Sequence, residues 1–120
     1  MRLLMIVMIA AALAAAQTPA AATPSTAPSG NAQNGKKLFA QYGCFQCHGY
    51  EAQGGLGTGP RLAPKPLPWA ALSRYVRQPA GQMPPYTAKV VPEKDLADIY
   101  AFLSAQPTPP PAKSIPLLNN

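Results

Sequence analysis

Cys44-Phe45-Gln46-Cys47-His48 is where the reactive side chains of this 120-residue sequence gather. The chain has 2 Cys and 1 His, and all of them fall within these five positions. The pattern C-x-x-C-H is the spacing used for c-type haem attachment. Two thiols one helical turn apart can each add to a vinyl group of the same porphyrin. The imidazole that follows is then carried under the ring, where it can ligate iron. Other uses of these residues fit less well. A structural zinc site needs about four ligands, and the sequence offers no further Cys or His. A thioredoxin-like C-x-x-C needs a βαβ setting, which is missing. A disulfide between Cys44 and Cys47 would close a tiny loop and stabilise little.

A second axial ligand is approached by elimination. His48 is the only His, so two imidazoles cannot come from this chain. Met1, Met5 and Met8 lie in an apolar leader, which leaves Met83. Its setting is Gly81-Gln82-Met83-Pro84-Pro85-Tyr86. Two prolines stiffen that strap, so a thioether could be held at low entropic cost. An open position, a Lys, or a Tyr such as Tyr86 are the alternatives, and gap-filling in a core is the ordinary role of a lone Met.

The elements that must position these groups are few. Arg2 and the unbroken apolar run 3–16 read as an export signal over residues 1–16, with Ala14-Ala15-Ala16 as the cleavage site. The run is shorter than the roughly 18 residues of a membrane span, so no stable span is expected after cleavage and the location expected is periplasmic. Residues 17–32 are Ala, Thr, Ser and Pro without a large apolar side chain, and read as a flexible linker. Residues 106–120 hold five of the 16 prolines and read as an extended tail with polyproline II character at Pro109-Pro110-Pro111. The core is then 33–105, a size that usually needs a disulfide, a metal or a large cofactor.

The core reads as all-α. A first helix is expected from about Asn34, as N-cap, to Tyr42, closed by Gly43. A second starts at Pro68 and ends before Pro79, with Trp69, Leu72 and Val76 on one face. A third follows Pro92, with Glu93 and Asp95 at its positive end and Leu96, Ile99, Tyr100 and Leu103 as an amphipathic stripe. Gly54, Gly55, Gly57, Gly59, Pro60, Pro64 and Pro66 mark loops between them.

In order along the chain, these features resemble class I cytochromes c, the small exported monohaem electron carriers. The residues that carry the resemblance are Gly35-Lys36-Lys37-Leu38-Phe39, Gly43 to His48, Thr58-Gly59-Pro60-Arg61-Leu62, Met83-Pro84 and Leu96 to Leu103. The resemblance implies three to four helices wrapped around one covalent haem with Gly/Pro-rich loops. It implies that the first and last helices cross at Gly35, with Phe39 near Leu96 and Tyr100, and that the Pro60 carbonyl accepts from the ligating imidazole. Partners for the haem propionates are sought among Arg61, Arg74, Tyr75, Arg77 and the Trp69 indole, with Arg77 slightly favoured and core packing the competing role for Trp69.

The function expected is one-electron transfer by a haem c ligated by His48 and Met83, without enzyme activity of its own. The chain would be a periplasmic carrier or the electron-accepting partner or subunit of a periplasmic dehydrogenase, with a terminal oxidase as a further redox partner. An enzyme or gas sensor with an open sixth position is the alternative, and a haem-free interaction module working through the proline-rich tail is a third. The 10 Lys+Arg against 4 Asp+Glu could steer the protein to an acidic partner or serve solubility alone. No basic–aromatic pattern suggests nucleic acid.

Overall fold

Asn31 turns the chain into its first helix. Its backbone is extended (φ −99°, ψ 110°), and its side-chain oxygen accepts from the Asn34 N–H at 2.9 Å, the standard means of satisfying an orphan donor at a helix start. Helix α1 therefore spans Ala32–Gln41. The cap expected at Asn34 sits one turn earlier, because Asn34 is drawn inside the helix to serve Asp98. The Asn34 Nδ2 donates to Asp98 Oδ2 at 2.8 Å, and the Asn31 N–H donates to Asp98 Oδ1 at 2.6 Å. This computed structural model describes residues 26–118. The export signal expected over 1–16, and residues 17–25 of the expected linker, lie outside them. The described part of that linker is not free of the core: Ala27 packs against it, and a Cβ on Gly30 would collide with the Ala97 carbonyl.

Four helices and no sheet make up the described core. Helix α2 is the single turn Phe45–His48, α3 is Trp69–Arg77 and α4 is Glu93–Ala105. Pro68 and Pro92 stand immediately before α3 and α4, one residue outside the first turn. Their carbonyls accept the first helical bonds, from Leu72 and Leu96, while the missing proline N–H is one that no helix uses. The nearest approach to a strand is one isolated bridge between Gly55 and Gly59. After Ala105 the tail runs without regular structure to Pro111, whose angles (φ −62°, ψ 141°) are those of polyproline II. It then differs from a purely extended segment, with 3₁₀ turns at Ala112–Ser114 and Pro116–Leu118.

The extensive helix–helix contact is between α1 and α4. Gly35 makes it possible: a Cβ there would stand 1.9 Å from the Asp98 carbonyl oxygen. Around that point Leu38, Phe39, Leu96, Ile99, Phe102 and Leu103 are buried. Phe39 and Leu103 are the largest fully buried side chains, each worth about 1.5–3 kcal/mol of burial. Phe39 faces Phe102 with ring centroids 5.5 Å apart, whereas Tyr100 turns to Trp69 in an edge contact at 5.5 Å and 76°. The Phe39–Tyr100 proximity expected from the resemblance thus resolves into two separate aromatic pairs, one joining α1 to α4 and the other joining α3 to α4.

Two outcomes follow. Gly35→Ala forces the helices apart and is expected to cost roughly 3 kcal/mol or more, at the top of the range for overpacking, measured by chemical denaturation. Asp98 is held below the ordinary carboxylate range by the Asn31 N–H, then the Asn34 amide, with Lys94 adding less. A folded pKa below the unfolded one, about 3.9, means that its contribution is present above the unfolded value and lost as pH falls through the folded one. Asp98→Asn should be less stable than wild type at pH 7, and the gap should narrow on acidification below about pH 4; a gap that widens would refute this account.

Candidate functional site

The site is built directly off the end of α1. Gly43, at φ +76°, reverses the chain there. Its N–H bonds the Ala40 carbonyl at 3.0 Å, and the Cys44 N–H bonds the Phe39 carbonyl at 3.1 Å. This is the Schellman arrangement, which asks for glycine at the reversal. Cys44 consequently starts the turn α2 with no linker. The His48 N–H then bonds the Cys44 carbonyl at 3.0 Å, so the two thiols and the imidazole are set on one helical turn.

Such a short helix leaves its last carbonyls without partners, and the following loop supplies them. The Thr58 hydroxyl donates to the Cys47 carbonyl at 2.9 Å, and the Gly54 N–H to the His48 carbonyl at 2.8 Å. Buried Ala52 accepts from the N–H groups of Leu62 and Ala63. The loop is thereby folded back so that Pro60 O lies 2.8 Å from His48 Nδ1. A carbonyl can only accept, so Nδ1 carries the proton and Nε2 keeps its lone pair. The ring is buried and its tautomer is fixed for ligation through Nε2. Gly59 lets the loop come this close: a Cβ there would be 2.9 Å from the Cys47 carbonyl and 3.0 Å from His48 Nδ1.

Both cysteines are free thiols, Cys44 half-buried and Cys47 exposed. Burial pushes the Cys44 thiol up to about 11, so it is protonated at neutral pH. The same loss of water raises the Tyr86 phenol, with lesser contributions from charge on Cys44 and Cys47. Phe45, between them, stacks on exposed Tyr50 at 4.4 Å.

The other expected site residues fall as follows. Met83 is half-buried in a strap without regular structure. Trp69 is buried against Tyr100, the packing role that competed with hydrogen bonding to a propionate. Arg77, expected at a propionate, has its Nη groups at the Tyr86 carbonyl (2.8 Å) and Glu93 (3.4 Å). Arg61 and Arg74 are exposed. Tyr86 stands in the sequence only as an alternative iron ligand, whereas in the structure three separate bonds converge on it. Among the described residues no cluster of three His, Cys, Asp or Glu could hold a bare metal ion. The donor set instead fits an iron porphyrin: paired thiols for the macrocycle and one tautomer-fixed imidazole for the metal.

Helices and donors together define a small all-α cytochrome-like domain with c-type haem spacing. More particularly, the family described as cytochrome C oxidase, cbb3-type, subunit III matches residues 30–103, well over half of the chain, and the chain belongs to that family. No curated relative and no solved structure matches it. Among the described residues no helix is long and apolar enough to cross a membrane.

Gly59→Ala should displace the loop from His48. We expect a loss of about 1–3 kcal/mol, typical of an overpacked site, together with disappearance of a slowly exchanging Nδ1–H resonance of His48. A variant that keeps the resonance would show that the close approach is not required.

Proposed function

We propose that the chain is an electron-transfer protein of class I cytochrome c architecture, carrying one covalent haem c over residues 33–105. The observation that carries this reading is His48 Nδ1 bonded to Pro60 O on the helical turn that also carries Cys44 and Cys47. In this reading Cys44 and Cys47 would hold the porphyrin through thioether bonds, and His48 Nε2 and Met83 would be the iron's protein ligands. Bound in this way, haem supplies a one-electron Fe(III)/Fe(II) couple that neither makes nor breaks a substrate bond. The rest is done by the chain. Pro60 keeps the proton on Nδ1 and makes the imidazole a stronger donor. Met83 would occupy the site that an external ligand needs and would favour a high potential. Trp69 remains a candidate donor to a propionate through its indole N–H, and Arg77 a weaker one, given its other partners.

Charge supports a redox partner of acidic character. All four carboxylates have partners within the chain: Glu51 with Lys36, Glu93 with Arg77, Asp95 with Tyr42, and Asp98 with Asn31, Asn34 and Lys94. Lys37, Arg61, Lys65, Arg74 and Lys89 have no such ion pair among the described residues, so the uncompensated surface charge is positive. The partner proposed is a periplasmic dehydrogenase or a terminal oxidase, the latter in keeping with the family's name. Export through the segment 1–16 belongs to the same proposal.

The test is made on protein matured in the periplasm. A pyridine haemochrome assay should find one covalent haem per chain, lost in Cys44→Ala/Cys47→Ala. Met83→Ala should abolish the far-red Met–iron absorption band. It should also lower the potential by a sizeable fraction of the roughly 0.8 V over which axial ligands tune haem. Colourless mature protein overturns the reading, and a wild type without the Met–iron band overturns its electron-carrier form in favour of an open-site haem protein.

A further inference from the structure

The strap that bears Met83 is fastened unequally at its two ends. Towards its N-terminal side Gly81 is exposed, with open space where a side chain would stand. The nearby anchor there is an exposed bond from the Tyr75 hydroxyl to the Ala80 carbonyl, at 3.1 Å. Three residues after Met83 the situation is different. The Tyr86 N–H donates to the Val76 carbonyl at 3.0 Å, the Tyr86 carbonyl accepts from Arg77 Nη1 at 2.8 Å, and the Tyr86 hydroxyl donates to the Tyr42 carbonyl at 3.2 Å. Arg77, which holds Tyr86 through its guanidinium, and Tyr42, which holds it through its backbone carbonyl, each have a side chain bonded to the first turn of α4. Arg77 Nη2 reaches Glu93 at 3.4 Å, and the Tyr42 hydroxyl donates to Asp95 at 2.7 Å. The end of α1, the end of α3 and the start of α4 thus meet at one strap residue.

We propose that Tyr86 and Arg77 are positioning residues that pin the strap and set how often Met83 leaves the iron. The inference rests on the His48/Met83 reading and adds the groups that control the second ligand. Pro84 and Pro85 are what carry the restraint from pin to ligand. Their φ angles are fixed by the ring, so few free torsions separate Tyr86 from Met83. Loosening Tyr86 leaves the strap held on its Gly81 side by the single exposed Tyr75–Ala80 bond, so it can swing there, and the sulfur goes with it. The bond to Arg77 is charge-assisted and stronger than a neutral one, and it also ties the strap to α4 through Glu93.

The test uses the haem-loaded ferric protein and imidazole as an external ligand. Imidazole binds only when Met83 is off, so its apparent affinity rises in proportion to the open fraction. Tyr86→Phe removes one hydroxyl and should raise that affinity about fivefold, the worth of one net hydrogen bond. Arg77→Met removes a charge-assisted bond and should raise it roughly tenfold or more, with the Met–iron band weakened. Arg77→Lys should recover part of both signals. The pin is refuted if wild type shows the band while Tyr86→Phe and Arg77→Met leave imidazole affinity unchanged. A lower denaturation midpoint with unchanged affinity refutes it too, since that is the mark of a merely structural role. A wild type lacking the band fails the Met83 reading, and the pin with it. Should Arg77→Met not mature, Tyr86→Phe decides the question alone.

Discussion

The contact of the Gly35 backbone with the Asp98 carbonyl is the constraint from which the other positions follow. It brings α1 and α4 closer than any side chain at residue 35 would allow. The crossing is locked from one side by Asp98, whose buried carboxylate takes a backbone N–H from Asn31 and an amide N–H from Asn34. It is filled from the other by Phe39, Phe102 and Leu103. A buried carboxylate is tolerable only when its oxygens are satisfied, so Asp98 also fixes where the chain enters α1. One interaction thus sets the spacing, the rotation and the start of the helix from which the thiols are suspended.

From the end of that helix onwards, regular structure does little. Residues 49–62 contain no helix, yet the loop is defined, because each exposed end of α2 requires a partner that the loop provides. Thr58 and Gly54 satisfy the carbonyls of Cys47 and His48, and Ala52 ties Leu62 and Ala63. Pro60 lands on the imidazole as the outcome of those bonds. The backbone accounting of a four-residue helix therefore selects the tautomer of His48, and a stability requirement and a chemical one are met by the same loop.

Much of this was legible in the residues. Gly43 could be read as the terminator of α1, and Pro68 and Pro92 as the starts of α3 and α4, because such signals are local: a reversal that needs positive φ, and a ring that cannot donate. The Gly35 crossing was accessible through the family resemblance. What escaped was long-range. Asn31 and Asn34 are equally good caps as residues, and only Asp98, 64 positions beyond Asn34, decides between them. Arg77 was expected at a propionate, but a guanidinium serves a propionate or a carbonyl equally well, and its bonds here depend on where Tyr86 and Glu93 are placed. Helix α2 is too short for any periodicity to reveal, although the C-x-x-C-H spacing itself presupposes one turn. The tail's 3₁₀ turns lie beyond the reach of a composition argument that sees only prolines.

The same structure explains why a chain of this kind suits a large bound group. Helix α3 meets α4 through the Trp69–Tyr100 contact, while the extensive packing lies between α1 and α4. The loop that follows α2 is tied to it by hydrogen bonds, each of modest net worth, about 0.5–1.5 kcal/mol. A porphyrin joined to Cys44 and Cys47 and ligated by His48 and Met83 would cross-link segments far apart in sequence. A cross-link of that kind removes freedom chiefly from the unfolded chain, and the porphyrin would add the apolar surface that a domain of this size lacks. With a porphyrin so held, folding and loading would be one process, in which the crossing helices supply the frame and the cofactor completes the core. The Tyr86 node belongs to the frame: its bonds come from the end of α1, the end of α3 and, through Arg77 and Tyr42, the start of α4, so the chain itself supplies what would hold the strap.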